Sequence, residues 1–289
     1  MRGADSAFAA GYPHYQDQAT GIRIILGTPD LGVNRQRVGF VLSDESGLLR
    51  LPIARVSSYH APSGADAPRE HPRETAVARF FEFPYGVRGM YSVELTFDRP
   101  GDWVLEVRLP RPDGATALIA FAFPVAERTV APAVGEAAPR SRNRTVLDVA
   151  SLDRLTTGSE PDAALYRLSV EQAMQQGRPL VLVFASPAFC TNALCGPQVE
   201  VVSDLAARYG DRANFIHIDL YENPHEIDGD LDRAVRSPLL AEWGLETDEW
   251  TFVIDERGVV AARFEAFVTG DELEQALQRV LMAGLAQGR

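Results

Sequence analysis

The chain has 289 residues, 46% of them hydrophobic and 24% charged, an ordinary globular make-up at a length that suits two domains. Its 28 basic residues against 40 acidic ones give a formal charge of −12, which argues against nucleic acid or an anionic membrane surface as the main partner. Every basic residue is arginine, which excludes lysine Schiff-base chemistry and a lysine phosphate loop. No run approaches ~18 consecutive apolar residues, so no stable membrane insertion is expected.

Residues 1–20 are polar, with Gly, Pro and Gln, and read as a flexible tail; the first ten lack the apolar core of a secretion signal. From 21 to 128 the pattern is short apolar or alternating runs. Seven strands are expected, over 22–26, 38–42, 51–56, 77–81, 90–97, 103–109 and 117–123, with turns at Asp98–Asp102 and Arg111–Gly114. Tyr91, Val93, Leu95 and Phe97 alternate onto one face, and with Trp103 they read as core. Seven such strands without helical periodicity predict an immunoglobulin-like β-sandwich.

Residues 129–145 combine Pro, small residues and Arg, and read as a linker. Over 146–289 the pattern alternates. Ser169 and Gln172 form a capping box for a helix ending at Gly177, followed by an apolar strand over Pro179–Phe184. A helix is expected over Pro197–Tyr209 and a strand over Phe215–Leu220. Ser237 and Pro238 open a short helix, Thr251–Phe264 reads as a hairpin, and Thr269 with Glu272 caps a last helix. This order resembles a thioredoxin-like, redoxin-type domain. The resemblance is carried by Val134-Gly135-Glu136-Ala137-Ala138-Pro139, by Arg178–Ala185 leading into a cysteine segment, and by Thr251–Gly258. It implies a two-domain chain, a β-sandwich followed by an α/β thioredoxin-like domain, and an envelope or extracytoplasmic location.

The two cysteines, Cys190 and Cys195, have four residues between them. A pair this local in a large chain points to redox or metal chemistry rather than a disulfide scaffold. Two registers against the family are open. Cys195-Gly196-Pro197 matches the Cys-Gly-Pro of the thioredoxin motif; alternatively, Cys190 through Cys195 is similar to the pair of some atypical two-Cys peroxiredoxins, whose Thr three residues upstream is Pro187 here. A helix opening at Pro197 sets Cys195 at its N-terminal mouth, where amides and the dipole stabilise a thiolate. Cys195 is then the nucleophile and Cys190 its partner; in the second register the roles reverse. Where the family carries a proline before the late hairpin strand, this chain has Asp248-Glu249-Trp250-Thr251. Trp250 and Pro197 are the candidate substrate-binding residues, although Trp250 also suits the core.

The expected activity is thiol–disulfide exchange through Cys190 and Cys195 on a protein or small-molecule thiol or disulfide, without a cofactor. The alternative is a copper- or partner-binding protein without turnover, similar to Sco-type copper chaperones, since two thiolates and an imidazole suit Cu(I). No histidine lies in a matching motif. His217 reads as a satisfied strand histidine, His225 as a loop residue, and His60 and His71 flank a Pro-rich loop. Asp228, Asp230 and Asp232 lack the downstream Glu of a calcium loop and read as a solvated face.

Overall fold

The computed structural model describes residues 12–62, 71–86, 88–110, 114–189 and 197–287. The chain divides into two compact units, with the boundary between Thr129 and Val130.

The first unit is built from β1 (His14–Gln16), β2 (Arg23–Leu26), β3 (Asn34–Asp44), β4 (Gly47–Leu48), β5 (Ile53–His60), β6 (Glu74–Glu82), β7 (Gly89–Phe97), β8 (Gly101–Pro110) and β9 (Thr116–Val125). They form one sheet in the order β1-β2-β3-β7-β6-β5-β8-β9, with β4 on β3. Its strand pairs are antiparallel. Strand β1 falls within the stretch read as a tail and pairs His14–Gln16 with Arg23–Ile25.

Alternation along each strand sends one side chain in two to a single interior. Ile24 and Leu26, Val38, Phe40 and Leu42, Ala54 and Val56, Tyr91 through Phe97, Trp103 through Leu109, and Ile119 through Val125 supply that shared cluster. Each fully buried side chain of this size stabilises by roughly 1.5–3 kcal/mol. Trp103 meets Phe97 edge-on at 4.9 Å and donates its indole N–H to the Arg99 carbonyl. Tyr91 stacks on Phe40, and its hydroxyl donates to Leu49 O and accepts from Leu51 N. Gly39 lets β3 pass close to Met90: a Cβ there would lie 2.1 Å from the methionine methyl, which would have to move aside.

The second unit holds β10 (Leu180–Ala185), β11 (Asn214–Asp219), β12 (Trp250–Ile254) and β13 (Val260–Glu265), in the order β11-β10-β12-β13. Only β10 and β11 run parallel. The helices are α1 (Val170–Gln175), α2 (Gln198–Tyr209), α3 (Pro224–Ile227), α4 (Pro238–Glu242) and α5 (Gly270–Gln287). Along β10, Leu180, Leu182 and Phe184 join one apolar cluster, and Val181, Val183 and Ala185 join another.

Residues 131–145 lie against this unit as a strap. Gly135 N donates to Val260 O and Ala138 N to Gly258 O, while Glu136 O accepts from Val260 N. The Trp243 indole donates to Ser141 Oγ at 2.8 Å, and Asn143 Oδ1 accepts from Val170 N. Gly244, at φ +64°, ends α4 where any Cβ would meet the Val130 carbonyl at 2.6 Å.

This architecture corrects the expected one, an immunoglobulin-like sandwich followed by a thioredoxin-like α/β domain. Of the described residues, 37% are strand and only 21% helix. The dominant element is one continuous, nearly closed antiparallel sheet rather than two facing sheets. The second sheet is small and mixed, and three of the five α-helices among the unit's described residues have six, four and five residues. The physical reason is that alternation identifies the buried face of a strand but not which strands share a ladder. A barrel-like sheet and a sandwich therefore write the same pattern into the sequence. Short motifs likewise fix a turn or a cap and leave the layer arrangement open.

Candidate functional site

Cys190 and Cys195 lie outside the described residues; the chain on either side of them is described. Strand β10 ends at Ala185 and continues into Ser186-Pro187-Ala188-Phe189, a turn closed by Phe189 N donating to Ser186 O. On the far side, Pro197 is the N-cap residue of α2, with Gln198 the first helical residue. Pro197 is half-buried, whereas Gln198 is 1% exposed. The Gln198 side-chain Oε1 accepts from Val268 N at 2.8 Å, and its amide nitrogen has no partner among the described residues.

The leading turn is fastened by a polar cluster where β10 and β11 end. Thr157 is its hub. Its backbone N–H and its hydroxyl both donate to Asp219 Oδ2, at 2.7 and 2.8 Å. The same hydroxyl accepts from the Ser186 hydroxyl at 2.9 Å and from Ala188 N at 3.3 Å. Asp219 Oδ1 accepts from Tyr221 N. A buried carboxylate thus holds a loop, and that loop holds the two residues opening the turn toward Cys190.

Next to it stands a second buried pair. His217 Nε2 is 3.0 Å from the Ala185 carbonyl. A carbonyl only accepts, so the proton sits on Nε2, and in the neutral ring Nδ1 accepts from the Tyr166 hydroxyl at 2.7 Å. Thr156 also hydrogen-bonds to the Tyr166 oxygen. His217, Tyr166 and Asp219 are 2%, 2% and 3% exposed. Burial holds the His217 imidazole below its usual range despite the Asp219 charge nearby. Burial likewise lifts the Asp219 carboxyl above the ordinary carboxylate range, opposed by His217 and by the Thr157 and Tyr221 donors. The Tyr166 phenol is also raised by burial. A cavity of about 30 Å³ borders the cluster, with Asn143, Arg144, Tyr166, His217, Asp219 and Tyr221 in its wall; that is room for about one water.

Trp250, expected either at the substrate site or in the core, is 1% exposed. Its ring stacks on Phe252 at 5.7 Å, its indole donates to Thr247 Oγ1, and the Arg263 guanidinium lies 4.9 Å over its face. His225 sits in α3, 3.8 Å from Glu226. His60 meets Trp103 edge-on. Asp228 is the left-handed C-cap of α3, and Asp230 caps the 3-10 helix Leu231–Arg233. Among the described residues, no group of three or more His, Cys, Asp or Glu could hold a metal ion. No described helix is long and apolar enough to cross a membrane.

Sequence reading singled out His217 but passed over Asp219, Thr157, Ser186 and Tyr166. One signal was present: His217 and Asp219 are two residues apart in β11, alternating with Ile216 and Ile218, so they share a face. No protein-family model matches the chain, and no curated protein matches it.

Proposed function

We propose that the second unit carries out thiol–disulfide exchange through Cys190 and Cys195. The observation behind this reading is the fastening of the chain on the approach to the pair. The Asp219–Thr157 hydrogen bonds tie down Ser186 and Ala188, and α2 begins three residues after Cys195. The first turn of α2 is thus close in sequence to Cys195, and the amides at a helix N-terminus lower a thiol pKa.

The reaction needs no cofactor. One thiolate attacks a sulfur of a substrate disulfide; a mixed disulfide forms and one substrate thiolate leaves, taking a proton from solvent. The second cysteine, deprotonated, then attacks the protein-side sulfur of the mixed disulfide. The other substrate thiolate departs and the Cys190–Cys195 disulfide remains. Two electrons pass to the substrate, whose disulfide becomes two thiols. The partner is accordingly a protein or small molecule bearing a thiol or disulfide.

The test is reduction of a model disulfide by the full chain carrying Cys190→Ser or Cys195→Ser. Each substitution is expected to abolish turnover, and the variant retaining the nucleophile accumulates the mixed disulfide. Wild-type turnover in both variants would falsify the reading.

A further inference from the structure

Outside the second unit, one surface of the first combines charge and apolar area in a way the core does not require. Strands β5, β6, β8 and β9 send Ala54, Val56, Ala78, Val107 and Ile119 inward. The alternate residues face out. Arg55 stands directly opposite Arg108 across the β5–β8 ladder. Arg108 is opposite Leu118, Arg55 is opposite Val77, and Ile53 is opposite Arg79. Ile53, Val77 and Leu118 are 45%, 45% and 47% exposed.

Like charges directly opposite in a sheet are destabilising. Glu106 offsets only one of the two, since its carboxylate takes both Nε and a terminal nitrogen of Arg108, at 3.0 and 2.6 Å. Arg55 and Arg79 make no ion pair with a described residue. A protein of net charge −12 thus concentrates uncompensated positive charge beside exposed aliphatic side chains. The same residues shape an open groove of about 610 Å³, with Ile53, Leu109, Pro110 and Leu118 as its apolar lining and Arg55 and Arg108 as its charged one. That volume lies within the range of small-molecule sites, roughly 300–1,000 Å³.

We propose that this groove binds an anionic amphiphile of the carboxylate class. The acyl chain covers Ile53, Pro110 and Leu118, and the carboxylate sits between the guanidinium groups of Arg55 and Arg108. Charge complementarity selects this occupant. Guanidinium groups bind carboxylates through two parallel hydrogen bonds, and an anion here relieves the Arg55–Arg108 repulsion. Cations are repelled by the same pair. A neutral apolar ligand leaves Arg55 uncompensated, and two copies of a chain of net charge −12 repel one another.

Calorimetric titration of the full chain with dodecanoate below its micelle concentration tests the proposal. Saturable binding at one site is expected. Arg55→Gln weakens it by about tenfold and Arg55→Glu abolishes it. The pair Ile53→Asn and Leu118→Asn weakens it with the arginines intact. All three positions are exposed, and circular dichroism checks that each variant is folded. Dodecanol and dodecyltrimethylammonium are expected not to compete. Absence of saturable binding, wild-type affinity in Arg55→Glu, or equal binding of the ammonium amphiphile overturns the proposal. Tighter, Arg55-dependent binding of a Glu-rich peptide also overturns it, in favour of a protein partner.

Discussion

His217 shows how a single buried side chain ties stability to pH. Its ring is neutral in the folded protein because burial disfavours the charged form, while an unfolded histidine titrates near 6.5. Below 6.5 the unfolded chain therefore binds a proton that the folded chain refuses. Stability is fully present above the unfolded value and falls as pH drops toward the depressed folded one. The slope for one such group is at most about 1.4 kcal/mol per pH unit. Asp219 has the opposite sign: its carboxyl is raised, so its contribution is complete below 3.8 and is lost as pH rises through its folded value. Urea unfolding of the wild type between pH 7.5 and 5 is expected to show falling midpoints, and His217→Gln is expected to flatten that fall. An unchanged slope in the variant would show that the histidine is not the group responsible.

At the scale of elements, the second unit depends on polar fastening as well as apolar packing. The strap over 131–145 is joined to α4 through one buried hydrogen bond, from the Trp243 indole to Ser141 Oγ. Ser141 is 2% and Trp243 1% exposed. Ser141→Ala leaves the indole N–H without its acceptor in a dry site, which costs about 1–3 kcal/mol. Pairing Ser141→Ala with Trp243→Phe removes donor and acceptor together and is expected to recover part of the loss. Denaturant midpoints of the two single variants and the double variant measure the coupling; additive losses would place the strap's attachment elsewhere.

The same scale separates what sequence conveys from what it does not. Capping chemistry is local, so the Ser169–Gln172 box on α1 and the Thr269–Glu272 box before α5 were legible. So was the apolar run of β10, buried throughout, and so were Tyr91, Phe97 and Trp103 as core. The path of the first sheet was not legible, because β3 pairs with β7 and β5 with β8, and alternation carries no record of such distant partners. The polar cluster was hidden for a related reason. Thr157 and Asp219 are 62 residues apart in the chain and meet only once β11 lies beside β10. The strap escaped notice because Pro and Gly read as punctuation, although its backbone N–H groups are spent on Val260 and Gly258.

For the whole molecule, each unit has apolar clusters of its own among the described residues. The core of the first unit ends with Val125, and both clusters of the second begin at or after Ala131. Two units with separate cores are expected to unfold as separate events. The three tryptophans can report this, since Trp103 lies in the first unit and Trp243 and Trp250 in the second. With Trp103 replaced by Phe, fluorescence follows the second unit alone, while far-ultraviolet circular dichroism also follows the first. Leu105 is fully buried in the first core, and Leu105→Ala costs about 2–5 kcal/mol there by lost transfer energy and the cavity left behind. The dichroism transition is expected to move to lower urea by that amount while the fluorescence midpoint stays in place. A matching shift in fluorescence would mean that the chain unfolds as one cooperative body, and that its two cores are coupled in stability though distinct in packing.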